Sequence, residues 1–351
     1  MISSMGDNAA SPRLYAGTYA RNGGAGLHAL GFAPGHGWSI KDSYLGARNA
    51  SFGTYARRHQ LYYFVDEAQG SLGAFRYNEN GWESLARVAT HGDAPCYVAL
   101  NAEQSCLVVA NYGSGSIALF RLDAETGLPL SSPDVRRNFG SGPVQERQDG
   151  PHAHCACFSP DQRWLYHVDL GTDEILAYPF DRSAVAIGQR QLAFAAAAGS
   201  GPRHLVFHSK QPLALLVSEL ASTLIVLEVG EGQLKVRQVV STLPADFTGE
   251  SLGGHLSLNA SGDRVYVTNR GHDSIAVFAW NTQGTLNLLE HVPSSGTSPR
   301  AFVLLEDHQQ LLLANEEDGS VVAYSLDTDG RLSMTDRLVI PGAAFLLVEH
   351  S

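Results

Sequence analysis

A strand triplet that recurs about every 50 residues, apolar runs alternating with period two, and chain ends that each lack what the other supplies predict an all-β protein, a seven-bladed β-propeller. The repeating unit is a short strand, a polar turn, a second apolar strand ending in a polar residue, a Gly or Ser turn, and a third strand. Residues 95–101 lead into 106–111 and 116–121, and residues 202–208 into 215–219 and 223–228. The same order recurs from 255–259 through 265–269 to 274–278, and from 299–305 through 311–315 to 320–324. Val, Leu, Ile, Phe and Tyr fill these runs and Gly-rich turns separate them, as strands require. No stretch of helical length carries a 3.6-residue period. The residues read as ending the second strands are Asp66, Asn111, Asp169, Glu219, Asn269 and Asn315.

The ends give an independent check. Leu14-Tyr-Ala-Gly-Thr18 reads as a second strand with no first strand before it. Gly342-Ala-Ala-Phe-Leu-Leu-Val348 reads as a first strand with nothing after it. Joined, they complete the seventh blade and close the ring without an exposed radial edge. The length of 351 residues suggests two domains on its own. The repeat overrides this, predicting one ring over residues 13–351 after a flexible stretch, 1–12.

Composition narrows the function. The chain is 44% hydrophobic and 17% charged, enough to bury a large core. With 24 Lys and Arg against 35 Asp and Glu, its formal charge is -11, which argues against nucleic acid or an anionic membrane as partner. A small anionic substrate fits if a few Arg residues converge. No run approaches the roughly 18 apolar residues of a membrane span, and the first residues do not read as a secretory signal. Cys96, Cys106, Cys155 and Cys157 form no C-x-x-C pair and read as reduced thiols, so the expected location is the cytoplasm. The oligomeric state is left open.

Topology then places side chains. First strands line a propeller's channel and second strands run antiparallel beside them, so first-strand starts and second-strand ends share one mouth. Cys96, His154, Arg203 and Arg300 fall at equivalent first-strand positions. Asn111, Asp169, Glu219 and Asn269 come from second-strand ends, with Arg270 next in sequence. Arg, His and carboxylate on one rim suit an anionic substrate and a proton-transfer step. Gly249-Glu-Ser-Leu-Gly253 matches G-x-S-x-G, but a strand follows where a nucleophile elbow needs a helix. His152 and His154 would share a strand face, yet no third ligand has diagnostic spacing, and neither metal nor cofactor is expected. His36, His91 and His272 read as solvated loop residues.

Several motifs resemble the seven-bladed propeller lactonase family, which includes propeller-type 6-phosphogluconolactonases and fungal carboxymuconate cycloisomerases. They are Leu14-Tyr-Ala-Gly-Thr-Tyr19, Val109-Ala-Asn-Tyr112, Glu146-Arg-Gln148 with Pro151-His-Ala-His154, and Val168-Asp-Leu-Gly-Thr-Asp173. Gly201-Pro-Arg-His-Leu-Val-Phe-His208, Ser218-Glu-Leu220, Tyr266-Val-Thr-Asn-Arg-Gly271 and Pro299-Arg-Ala-Phe302 follow in family order. The resemblance implies lactone hydrolysis with catalytic His154, Arg203, Glu219 and Arg270. Glu219 would be the general base, and His154 the alternative base or the proton donor. His152, Asn111, Asp169, Asn269 and Arg300 would contact substrate. The favoured substrate is 6-phosphogluconolactone, in the pentose phosphate pathway. A muconate-type cycloisomerase and a non-catalytic scaffold or sugar-acid binder are the alternatives. Where the family's sixth blade often opens with a small residue, an acid and an apolar residue, this chain has Gly253-Gly-His-Leu256.

Overall fold

The computed structural model describes residues 13–349, so the expectation for residues 1–12 lies outside the described part. Seven antiparallel sheets surround a channel, six of four strands and one of five. Blade 1 pairs Arg13–Thr18 with Ala343–Glu349 from the other end of the chain, with Leu27–Ala33 and Gly37–Tyr44 outside them. The seam is tight. A Cβ on Gly17 would lie 2.1 Å from the carbonyl oxygen of Ala50, so only Gly lets blade 1 approach the chain entering blade 2. The two helical turns, Ala20–Asn22 and Glu306–His308, are single 3₁₀ turns.

The remaining inner strands are Gly53–Ala56, Pro95–Leu100, Ala153–Phe158, Pro202–Phe207, Leu252–Leu258 and Pro299–Leu305, which open blades 2 to 7. Apolar side chains of adjacent sheets interlock between blades: Val108 and Ile117 of blade 3 pack with Leu165 and Leu176 of blade 4. Leu215 and Val226 of blade 5 pack with Val267 and Phe278 of blade 6. Alternation puts one face of each strand into each interface, so every blade is covered on both sides.

One irregularity recurs and positions the site. In every blade except blade 2 the inner strand slips register against its neighbour at the same mouth. Pro202 pairs with Ser218 and His204 with Val217, leaving Arg203 as the extra residue of a β-bulge. Cys96, His154 and Arg300 occupy the same bulge in their blades. A bulge adds one residue without a ladder partner and re-aims its side chain.

The ladders also correct the expected second-strand register in blade 5. Asn111, Asp169, Asn269 and Asn315 pair with the first residue of their third strands, and in blade 5 the residue that does so is Ser218. Glu219 lies one position further on. Its true equivalents are Tyr19, Glu67, Tyr112, Leu170, Arg270 and Glu316, and backbone bonds such as Glu219 N to Gly201 O and Tyr112 N to Ala94 O repeat this register. One residue changes the face on which a side chain emerges.

Gly17→Val should destabilise the fold by about 2 kcal/mol or more in urea titration, since backbone rather than a movable side chain blocks the new Cβ. An unchanged midpoint would show that the seam yields.

Candidate active site

Glu219 is the centre of the mouth. Its side chain is 2% exposed, yet three guanidinium groups converge on it. Arg203 Nε donates to Oε2 at 2.9 Å, and Arg270 Nη2 lies 2.7 Å from the same oxygen. Arg147 Nη2 donates to Oε1, and His154 Nε2 is 3.7 Å from Oε2. The other three residues expected to be catalytic are therefore within ion-pair reach of the Glu219 carboxylate. Arg203 also donates to the carbonyl of Gly254 at 2.7 Å. Gly254 opens the Gly254-His-Leu256 stretch in which His255 stands where the resemblance leads one to expect an acid, and a Cβ on Gly254 would meet Thr268 Oγ1 at 2.2 Å.

Arg147 was not among the expected residues. It lies in the widest interval of the repeat, between blades 3 and 4, on a loop held by Gln148, whose side chain donates to the carbonyl of Leu170 and accepts from Val144 N. Tyr112 lies beside it: Arg147 Nη2 donates to the Tyr112 hydroxyl at 3.4 Å. The Tyr112 ring stacks on His152 and meets His154 edge-on. His152 bonds to the Tyr112 carbonyl and to Asp149, so it buttresses that ring rather than joining His154 as a pair. Among the described residues no group of three or more His, Cys, Asp or Glu side chains is arranged to hold a metal.

Arg300 anchors a second cluster. Its Nη1 donates to Glu316 Oε2 at 3.0 Å and its Nη2 to the Tyr19 hydroxyl at 2.6 Å. Tyr19 donates in turn to Glu67 at 2.6 Å, and Arg21 lies over the Tyr19 ring while donating to Glu316. Both clusters open into one cleft of about 1010 Å³, lined by Arg21, Arg147, Arg270, Arg300 and Glu316 among others.

Three expected substrate contacts are corrected. Asn111 Nδ2 donates to the carbonyl of Thr90 and to Ser116. Asn269 makes the same pair of bonds with Thr242 and Ser274, and Asn315 with Ser294 and Ser320. A pattern repeated in three blades is a turn latch. Asp169 accepts from the backbone N–H groups of His152, Gly171 and Thr172 and from Asn138. All three are fully buried and bonded within the blades.

Electrostatics separate the roles. Burial pushes the Glu219 carboxyl pKa up, but Arg270 and Arg203, with Arg147, outweigh it and hold it well below the usual range. Burial and the charge of Arg203 push the His154 imidazole well below its ordinary value, so it is neutral. Burial, then Arg270, lowers Arg203 to about 10, and it stays protonated. Below the cluster, His154, His204, His255 and Phe302 form an edge-to-face ladder with centroids 4.9–5.4 Å apart. Tyr97, Phe52 and Phe345 continue it. Burial lowers His204 strongly and His255 to about 3.

The family model for seven-bladed β-propeller lactonases matches residues 13–348. The chain belongs to the seven-bladed β-propeller lactonase family. It is a lactone hydrolase. The Bacillus subtilis 6-phosphogluconolactonase is 33% identical over 330 residues, covering 91% of this chain and 93% of that protein. The periplasmic gluconolactonase of Pseudomonas aeruginosa superposes with a TM-score of 0.88 at 26% identity, covering 97% of this chain and 99% of that one. A Lactobacillus plantarum protein gives 0.89 at 26%, covering 97% and 100%. No helix of this propeller lactonase, among the described residues, is long and apolar enough to cross a membrane.

Two predictions test this site. Asn269→Ala should lower stability by about 1–3 kcal/mol in denaturant, by stranding the groups it latches, while KM for lactone stays unchanged. The second concerns pH. The buried imidazoles of His154, His204, His255 and His167 are depressed in the folded state, while unfolded His titrates near ~6.5. The unfolded chain therefore binds more protons in this window. Stability is fully present above about pH 6.5 and falls as pH drops toward about 4. Melting temperatures across that range check the sign, and His255→Phe should make the decline shallower.

Proposed function

We propose that this lactonase hydrolyses 6-phosphogluconolactone to 6-phosphogluconate, a step of the pentose phosphate pathway. The observation that carries the reading is the excess of cations around Glu219, two of which, Arg147 and Arg270, also line the cleft. Three arginines face one carboxylate and a neutral imidazole, a local +2 in a chain of formal charge -11. Positive charge concentrated in a cleft attracts an anionic substrate and fixes the oxygens it brings. The name of the Bacillus subtilis relative points to the same substrate.

His154 is the proton acceptor in this mechanism. Glu219 is a weak base because transferring a proton to it would remove the charge that holds three guanidinium groups. Water attacks the lactone carbonyl and gives a proton to neutral His154 at Nε2. The Glu219 carboxylate, 3.7 Å away, stabilises the imidazolium that forms. Arg203 and Arg270 face the negative charge developing on the carbonyl oxygen. The carbon–oxygen bond of the ring then breaks, and the imidazolium returns its proton to the departing alkoxide. Arg147 and Arg300, which both line the cleft, would hold the phosphate. Four free cysteines fit a reducing compartment, and we assign the protein to the cytoplasm.

The test is acid release from freshly made lactones by the purified protein. 6-Phosphogluconolactone should be turned over faster than gluconolactone. His154→Ala and Arg203→Ala should each lower kcat/KM by about 10²–10³. Arg147→Ala should chiefly raise KM for the phosphorylated substrate. Consumption of a muconate, followed by loss of diene absorbance, without acid release from any lactone would overturn the proposal.

A further inference from the structure

The outer edges of blades 3 and 4 enclose a second cleft, of about 750 Å³, apart from the channel mouth. Its origin is a shortened strand. The outer strand of blade 3, Asp134–Arg137, has 4 residues, whereas that of blade 6, Leu286–Pro293, has 8. The effect appears at Tyr178, which holds the register position in blade 4 that Tyr324 holds in blade 7. Each lies four residues beyond the start of its third strand. The Tyr324 hydroxyl donates to the carbonyl of Pro293, the last residue of the preceding blade's outer strand, at 2.8 Å. Arg137 is the residue equivalent to Pro293, since each pairs with the first residue of its third strand. Yet the Tyr178 hydroxyl has no partner, although Tyr178 is 2% exposed.

A buried hydroxyl without an acceptor is destabilising unless something supplies one. The surroundings say what could. His91, Arg136, Arg137, Phe139, Tyr178 and Arg190 line the cleft, and among the described residues no carboxylate does. Arg136 is paired with Asp134 at 2.8 Å, but its Nε is also buried without a partner. Arg190 donates to the Asn138 amide oxygen, and among the described residues neither Arg190 nor Arg137 forms an ion pair with a carboxylate. Two unneutralised guanidinium groups thus face a cleft on a chain of formal charge -11. Phe139 stands beside them with 73% of its surface exposed, its ring centroid 5.8 Å from the Arg190 guanidinium. An exposed ring next to arginines offers a flat stacking surface.

We propose that this cleft binds a nucleoside polyphosphate. Arg137 and Arg190 hold the phosphates, the Tyr178 hydroxyl donates to a phosphate oxygen, and the base covers Phe139. The shared chemistry with inorganic polyphosphate is the phosphate chain, and the ring of Phe139 separates the two.

Titration calorimetry of the full chain at low salt, with ATP, tripolyphosphate and adenosine as probes, tests this. ATP should bind more tightly than tripolyphosphate, and adenosine more weakly than either. Arg137→Ala and Arg190→Ala should each weaken ATP by about tenfold or more. Tyr178→Phe should weaken ATP while leaving the melting temperature of the free protein unchanged or raised. Phe139→Ala should erase the advantage of ATP over tripolyphosphate. Lactone turnover should be the same in all four variants, so failure of the lactone assignment would leave this result standing. Three outcomes overturn the proposal: no ATP binding, equal affinity for ATP and tripolyphosphate, or ATP binding abolished by Arg270→Ala but untouched by Arg137→Ala.

Discussion

The site depends on the β-bulge at the mouth end of the inner strands. Inner strands arranged about an axis bring their backbones close together, and a regular ladder would send alternate side chains into the interfaces between blades. One extra residue breaks that alternation. In blades 4, 5 and 7 the residue so released is His154, Arg203 or Arg300, and each projects where a regular strand would have buried it between sheets. In blade 1 the bulge carries Ala344, and in blade 6 it passes through Gly254. The repeat therefore provides the same opening around the ring, and sequence decides which openings carry charge. Substitution at a bulge does not disturb the interlocked apolar faces. Polar chemistry can therefore change there while the fold is kept.

Burying Glu219 among cations looks costly, because a carboxylate taken out of water loses its hydration. Three guanidinium groups compensate from three different structures: Arg203 on the bulge of blade 5, Arg270 at the end of the second strand of blade 6, and Arg147 on the loop before blade 4. No single blade could supply that set. The carboxylate in turn keeps mutually repelling guanidinium groups together, and without it Arg203 and Arg270 would drive each other apart. Glu219 is thus best understood as the counter-ion that organises the arginines. On the proposed mechanism, the neutral imidazole beside it is the group that exchanges a proton.

The fold was legible because a period near 50 residues and complementary ends leave few alternatives. The ends of the second strands show where legibility stops. Asn111, Asn269 and Asn315 look like a polar rim in sequence, and they are latches that tie each turn to the preceding blade's outer strand. Ser218 holds the same place in blade 5 but does not advertise it, so Glu219 was aligned one position too early. It still reached the correct mouth, because neighbours at a strand end differ in face but by only about 3.3 Å in height. Arg147 was hidden for another reason: loops carry no period. The hints were that the interval from Asn111 to Asp169 is too long for a plain blade and that Arg147 sits in the Glu146-Arg-Gln148 motif. Tyr19, Glu67 and Glu316 become visible only once the position after the latch is recognised as the one facing the channel.

The floor of the site constrains how the reaction can run. Beneath the arginines, His154, His204 and His255 with Phe302 and Tyr97 fill the channel edge to face, and burial keeps the imidazoles uncharged. A charged floor would need counter-ions and hydration that this packing excludes. On the proposed mechanism, substrate and product therefore share the mouth above Glu219. An opened lactone leaves with one more negative charge than it brought, against the same arginines that drew it in. Departure is helped by groups already paired before substrate arrives: Glu219 and Glu316 are ready to take back the guanidinium contacts that the acid gives up. The carboxylates that offset the arginines of the cleft, and so weaken their pull on substrate, are on the proposed mechanism also what keeps them from holding the product.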